Sequence, residues 1–128
     1  KDIKKKIIEM EIKKTGKLFS FCCMAPAIVK NKNIKEIKFF EKIGSDIGLL
    51  FQIADDLIDF SGSTKIVGKK TRKDEKQGKA TLISLLGHKN AIKYSNSIKS
   101  KIINDLKKYG LKSNNINETL NYIVTRNK

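Results

Sequence analysis

The sequence predicts an all-α fold, and three observations carry that prediction. Pro26 is the only proline in 128 residues. No run alternates apolar and polar residues as a half-buried strand requires. Apolar residues recur instead at helical spacing along the chain, and the interruptions fall at turn-forming residues. The length is about that of one domain, which excludes two full cores.

Each element follows from its local pattern. Residues 1–29 read as one helix or a pair, with Pro26 near a kink or an end. Asn31-Lys32-Asn33 is a break. A long helix follows over about 34–60. Ser61-Gly62-Ser63-Thr64 then opens a loop rich in glycine and lysine that runs to Gly78. Helical pattern resumes near Thr81 and stops at Gly87. Two more helices, about 89–109 and 115–125, are divided by Gly110 and Asn114-Asn115.

Composition narrows the function classes. There are 28 Lys+Arg against 13 Asp+Glu, a net charge of +15, but only Arg72 and Arg126 are arginine. Readers of nucleic acid use arginine for bidentate contacts and aromatics for stacking. Here lysine is spread among isoleucine and asparagine, and aromatics are 7% of residues. The expectation is solvated lysine-rich helix faces, no nucleic-acid partner, and a field that attracts anions such as phosphates. The hydrophobic fraction of 39% is too high for a disordered chain. No apolar run reaches the roughly 18 residues of a membrane span. No apolar stretch follows Lys1-Asp2-Ile3-Lys4-Lys5-Lys6, so no secretory leader is expected. Cys22 and Cys23 are adjacent, point about 100° apart on a helix and have no second pair to complete a zinc site. They read as small buried hydrophobes in a reducing compartment, which places the protein in the cytoplasm. His88, the only histidine, follows Gly87 and reads as a surface or capping residue.

The chemistry concentrates in residues 43–60. On a helical wheel Ile43, Ile47, Leu50, Ala54, Leu57 and Ile58 share one side, and Ser45, Gly48, Gln52, Asp55, Asp56 and Asp59 the other. The second side is small and neutral for two turns, which leaves room for a ligand, and then becomes three carboxylates and an amide. No lysine occurs from 43 to 64 in a chain otherwise crowded with them. Carboxylates at i, i+1 and i+4 repel one another unless a cation lies between them. Oxygen ligands on a rigid helix suit Mg²⁺, which keeps waters and shares its shell with substrate phosphate. The alternative, a solvated acidic helix end, opposes the macrodipole. The basic segment 68–81 follows directly, and lysines beside a metal–carboxylate site can close over a diphosphate, although a lysine-rich loop in a lysine-rich chain is by itself no more than a solvated loop. It is not a P-loop, because no strand precedes it. Spacing alone leaves Lys14-Thr15-Gly16 open between an ordinary exposed lysine and a functional element.

Together these residues resemble a family. Phe51-Gln52-Ile53-Ala54-Asp55-Asp56-Leu57-Ile58-Asp59 resembles the second aspartate-rich motif, FQxxDDxxD, of the trans-prenyltransferases (polyprenyl diphosphate synthases). Lys14-Thr15-Gly16 is similar to that family's KTG element. Gly68-Lys69, Asp74 and Gly78-Lys79-Ala80-Thr81 are similar to its basic loop. Residues 122–128 resemble the C-terminus of bacterial farnesyl diphosphate synthases, the geranyltranstransferase type. The resemblance covers essentially the whole chain, with the motifs in order. It implies the C-terminal part of an isoprenoid-synthase helical bundle.

The resemblance implies a magnesium-dependent reaction in which an allylic diphosphate ionises, isopentenyl diphosphate attacks the allyl cation, and a proton is lost. It implies Asp55 as principal Mg²⁺ ligand, supported by Asp56 and Asp59. Lys14 and Lys69 would grip the allylic diphosphate. Thr15 and Gln52 would place oxygens near the developing cation. Lys79 would contact phosphate from the loop, Asp74 would support the site from behind, and Arg126 and Lys128 would reach isopentenyl diphosphate from the tail. Asp55-Asp56-Leu57-Ile58-Asp59 is the only DDxxD in the sequence, whereas the family carries two. Residues 1–128 are therefore expected to be the C-terminal portion of one synthase domain, inactive in condensation by themselves. The full enzyme is expected to be a homodimer. Farnesyl diphosphate is the expected product, with geranylgeranyl diphosphate next, and a non-catalytic diphosphate-binding or partner subunit is the alternative. A terpene cyclase is disfavoured because no NDxxSxxxE motif is present.

Overall fold

A 33-residue helix, α3 (Ile34–Ile66), is the axis on which the other elements pack. The computed structural model describes residues 2–66 and 81–126, and these are helical apart from short connections, as the sequence predicts. One flank of α3 is covered by a nearly continuous antiparallel rod: α1 (Asp2–Glu11), a π-helical segment (Ile12–Gly16) and α2 (Lys17–Val29). The other is covered by α5 (His88–Leu106) and α6 (Asn114–Thr125), with the short α4 (Leu82–Leu86) leading into α5.

Local chemistry sets the ends of these helices. Pro26 lies within the last turn of α2, and the helix runs on to Val29. There Asn31, at φ +50°, closes it: its N–H donates to the Ile28 carbonyl and the Lys32 N–H to the Ala27 carbonyl, both at 2.9 Å. That pair of bonds is the Schellman closure, with asparagine at the left-handed position. Asn33 Oδ1 accepts the Glu36 N–H at 2.9 Å and starts α3. Thr81 and Ser84 form a reciprocal capping box at the head of α4, each bond 3.1 Å. The Gly87 stop stands as expected.

Two boundaries differ from the sequence expectation. α3 continues to Ile66 instead of breaking at Ser61. The Ser61 hydroxyl donates to the Leu57 carbonyl at 2.9 Å, so a residue that favours turns is absorbed into the helix. The three aspartates therefore lie within α3 and not at its end. The helix expected over 89–109 stops at Leu106, and a 3-10 stretch (Lys107–Ser113) connects it to α6. Gly110 sits there at φ +55°, a conformation a side chain disfavours.

The core lies between α3, α5 and α6. Ile98, Ile102 and Leu106 line one face of α5 at helical spacing and meet Ile43, Ile47, Leu50 and Ile53 of α3, with Leu120 and Ile123 from α6. α3 is buried on both sides over 47–50, as a central helix must be. Lysines lie mostly on solvated faces, several in exposed i,i+4 pairs with acids such as Lys5–Glu9 and Lys42–Asp46. Such pairs contribute about 0.5 kcal/mol or less each. Cys22 is exposed and Cys23 half-buried, both as free thiols. The expectation of two buried cysteines thus fails for Cys22, which the rotation of α2 turns outward. Among the described residues no helix is long and apolar enough to cross a membrane.

Candidate functional site

Glycines set the distance between α3 and the α1–α2 rod. A Cβ on Gly48 would stand 2.6 Å from the Gly16 Cα, and one on Gly44 would collide with the Phe19 carbonyl and lie 2.6 Å from the Ser20 Cα. The two backbones touch along this seam. The sequence reading of Gly48 as room for a ligand is corrected by this: the space is filled by the facing helix. The small residues serve the site indirectly, by letting the next residues along the seam meet.

Those residues are the ones the sequence singled out. One turn beyond Gly48, the Thr15 hydroxyl donates to Gln52 Oε1 at 3.0 Å. Gln52 is buried, and its amide donates in turn to Asp56, one turn further along α3. Lys14 is near enough to Asp56 to act on its charge. A Thr15–Gln52–Asp56 relay thus crosses the helix pair. The π-helical segment spans this stretch of the rod, a distortion frequent at functional sites.

The carboxylates are strained electrostatically. Burial raises the Asp56 pKa above the ordinary carboxylate value, and the charges of Asp59 and Asp55 add to that. The Gln52 hydrogen bond and Lys14 pull the other way. Asp55 points toward α6, where the Arg126 guanidinium holds its Oδ1 at 3.1 Å. The same guanidinium lies 4.3 Å from the centre of the Phe51 ring. Arg126, which the sequence placed on a tail, is therefore seated on the FQxxDDxxD helix, just past the end of α6. Beside it a largely apolar cavity of about 300 Å³ opens between α3, α5 and α6, walled by Leu57, Ile58, Ile92 and Ile123.

Comparison with known proteins decides the family. The Polyprenyl synthetase family profile matches residues 1–124. The chain belongs to the polyprenyl synthetase family. It is 34% identical over 119 residues to the farnesyl diphosphate synthase of Micrococcus luteus, covering 93% of this chain and 41% of that one. It is 32% identical over 115 residues to the octaprenyl diphosphate synthase of Haemophilus influenzae, covering 90% and 33%. With the geranylgeranyl diphosphate synthase of Cyanophora paradoxa it shares 29% over 118 residues, covering 92% and 39%. The chain spans about two fifths of these polyprenyl synthetases or less. The helical architecture is that of the all-α isoprenoid-synthase fold.

Of the site residues expected from the polyprenyl synthetase resemblance, the structure gathers Lys14, Thr15, Gln52, Asp56 and Asp55 along one stretch of the helix pair, with Arg126 on its α6 side. Asp59 is exposed, one turn beyond Asp55 on α3. Lys69, Lys79, Asp74 and Lys128 lie outside the described residues. His88 is exposed and stacks on Phe60, with ring centres 5.1 Å apart.

Glu11 was missed by the sequence reading. It is 4% exposed, and its Oε2 is buried with no hydrogen-bond partner among the described residues. Burial, and next the charge of Asp56, raise its pKa, while Lys14 lowers it. The signal was available: Glu11 occupies the i+4 position from buried Ile7, a core-facing register where a carboxylate is out of place.

This donor set fits a divalent cation of one kind. Among the described residues no three acids or other ligating side chains converge closely enough to cage an ion. Yet Asp56 is raised by burial and then by the charges of Asp59 and Asp55, Glu11 is raised by burial and then by the charge of Asp56, and one Glu11 oxygen has no partner among the described residues. That pattern suits a hydrated ion held by one or two carboxylates, its remaining shell completed by water and a phosphate ligand.

Proposed function

We propose that the protein is a magnesium-dependent trans-prenyl diphosphate synthase that condenses an allylic diphosphate with isopentenyl diphosphate to give farnesyl diphosphate. In this reading residues 1–128 are the C-terminal portion of a single synthase domain that acts in the cytoplasm as a homodimer. The observation that carries it is the Thr15–Gln52–Asp56 relay with Lys14 beside it, which joins two separate motifs into one polar site at a helix seam.

Asp55, Asp56 and Asp59 are the residues that would hold magnesium, one or two carboxylates to an ion, with water and phosphate completing its shell. A bound ion neutralises the diphosphate as it leaves. Lys14, with Lys69 and Lys79 from the basic segment, binds the diphosphate oxygens as point charges. Gln52 is locked by burial and two hydrogen bonds, so it orients Asp56 and presents Thr15 without reorganising. Arg126 is a planar donor fork suited to the second diphosphate, but in the resting arrangement it is committed to Asp55. Arg126 would be available to an anionic substrate once Asp55 turned to a cation, because the ion pair occupies the same carboxylate.

The test is condensation by the protein at the full length its own gene encodes. Labelled isopentenyl diphosphate, geranyl diphosphate and Mg²⁺ should yield a fifteen-carbon diphosphate. Asp55→Asn and Asp56→Asn should each lower kcat by about a hundredfold or more. A twenty-carbon product would assign the geranylgeranyl class. Magnesium-dependent pyrophosphate binding without elongation of any allylic primer would make the protein a diphosphate-binding partner subunit. Neither elongation nor binding would end the reading.

A further inference from the structure

The back of the aspartate helix carries a cavity that prenyl transfer does not use. Its wall on α3 is made by Ala54, Leu57, Ile58 and Ser61, which share one face at helical spacing. Asp55, Asp56 and Asp59 occupy the same turns, but at 100° per residue their mean direction is about 160° away. The cavity is therefore not the aspartate site approached from another side. Across the gap stand Ile92 of α5 and Ile123 of α6. The volume is about 300 Å³, whereas packed interiors leave few voids larger than one water. Leu57, Ile58 and Ile92 are accordingly only half-buried, although each is a large apolar side chain between packed helices.

One polar group in the cavity wall is unanswered. Arg126 contributes to that wall, and its side chain is 16% exposed. A terminal nitrogen of its guanidinium donates to Asp55 Oδ1 at 3.1 Å, but Nε is buried and has no hydrogen-bond partner among the described residues. A buried donor left unpaired is costly, and native structures leave few of them. Water is a poor occupant for the rest of the space, because a lining mostly of isoleucine, leucine and alanine offers it few partners. One molecule satisfies both conditions if a hydrocarbon chain fills the apolar part and an oxygen at its end meets Arg126. The volume sets the chain length. A dry apolar cavity of about 150 Å³ accommodates the six carbons of benzene, so about 300 Å³ accommodates about ten to twelve. The net charge of +15 favours an anionic head over a neutral one.

We propose that the cavity between α3, α5 and α6 binds an anionic amphiphile, a hydrocarbon chain of about ten carbons whose carboxylate or phosphate oxygen accepts a hydrogen bond from Arg126 Nε. The site stands apart from the diphosphate chemistry on the front of α3 and does not depend on it. A single residue joins the two, because the guanidinium that meets the head group also holds Asp55. Two sources share this ligand chemistry, a fatty acid and a prenyl phosphate.

Isothermal titration calorimetry tests this on the full chain as its own gene encodes it, in metal-free buffer. The probes are hexanoate, decanoate and tetradecanoate, each below its aggregation concentration, with decanol and geranyl monophosphate. Affinity should rise about tenfold or more from hexanoate to decanoate, as each added methylene is buried. It should rise no further at tetradecanoate, whose chain exceeds the cavity. Decanol, which lacks the charge, should bind about tenfold more weakly than decanoate, and Arg126→Gln should remove that difference. Ile92→Trp, which fills the cavity from α5, should weaken decanoate about tenfold or more. Asp56→Asn, on the front of α3, should leave decanoate within about twofold of the parent. Tighter binding of geranyl monophosphate than of decanoate would support the site with a prenyl ligand, and the reverse order would support it with a fatty acid. Affinity that keeps rising at tetradecanoate would overturn the site in favour of a surface patch. Unchanged decanoate binding in Ile92→Trp would overturn it too. Where that variant does not fold, the chain-length series and the decanol comparison on the parent decide alone. A parent that binds no probe would reject the site, as it would if another part of the chain filled the space, and would leave the condensation reading untouched.

Discussion

A methyl group added at Gly48 tests how the site is held together. The new Cβ would stand 2.6 Å from the Gly16 Cα, 3.2 Å from the Gly16 nitrogen and 3.3 Å from the Phe19 Cβ. Carbon atoms pack best at about 3.5–4.0 Å, so the rod and α3 must separate by about 1 Å. The nearest obstruction is backbone, which cannot swing away as a side chain would. Thr15 is next to Gly16, and its bond to Gln52 is 3.0 Å long. Opening the seam by about 1 Å takes that bond beyond hydrogen-bonding range. Overpacking costs about 1–3 kcal/mol, and the lost bond adds about 1 kcal/mol. The better helix propensity of alanine returns about 1 kcal/mol. Gly48→Ala should therefore destabilise the protein by about 1–3 kcal/mol in urea unfolding, with m unchanged. It should also weaken metal-dependent pyrophosphate binding, since Gln52 no longer holds Asp56 in place. A variant as stable as the parent, or more so, would refute the close seam as the feature that positions the site.

Three further outcomes follow from particular contacts. Glu11 and Asp56 are raised in the folded state, so the folded chain keeps protons that the unfolded chain releases from about pH 4. Their contribution to stability is full below that pH and is lost as pH rises through the folded values. In metal-free buffer Glu11→Gln should accordingly gain on the parent between about pH 4 and pH 7 in urea midpoint, and a constant difference would refute the shift. Arg126→Ala should cost about 1–2 kcal/mol, because the ion pair to half-exposed Asp55 contributes about 1 kcal/mol or less and the contact over Phe51 a similar amount. Arg126→Lys should recover little of the ring contact, and a loss above about 3 kcal/mol would mean that the guanidinium does more than these two contacts. Iodoacetamide should label exposed Cys22 before Cys23, whose thiol burial, and next its neighbour Cys22, pushes up. Peptide mapping that finds Cys23 modified first would contradict the orientation of α2.

Much of the fold and part of the site were legible in the chain. Helical spacing, the Asn31–Asn33 break, Thr81 at a helix head and Gly87 at a helix end are local signals, set by backbone chemistry within a few residues. The FQxxDDxxD run was legible for a similar reason: three acids within one turn and a half carry an electrostatic cost that needs an explanation wherever the helix lies. Ser61 was misread because its hydroxyl has two local options, a turn or a bond to the carbonyl four residues back, and only the continuing helix selects the second. Cys22 was misread because two adjacent positions on α2 differ only by the rotation of the helix against α3.

What the sequence alone determined is the inventory: an all-α chain, a family, and the motifs that carry lysine, threonine, glutamine and aspartate. What only the tertiary structure decided is which of these meet. Gly16, Gly44 and Gly48 are ordinary small residues in a sequence and become a backbone-to-backbone seam only when α1–α2 lies antiparallel on α3. That seam joins Thr15 to Gln52 across 37 positions. The far side of α3 brings Arg126 to Asp55 across 71. Glu11 becomes a buried acid, with one oxygen unpartnered among the described residues, only in the folded chain. Contacts between residues so far apart in the chain depend on the sum of packing over both helices, and no local pattern encodes that sum.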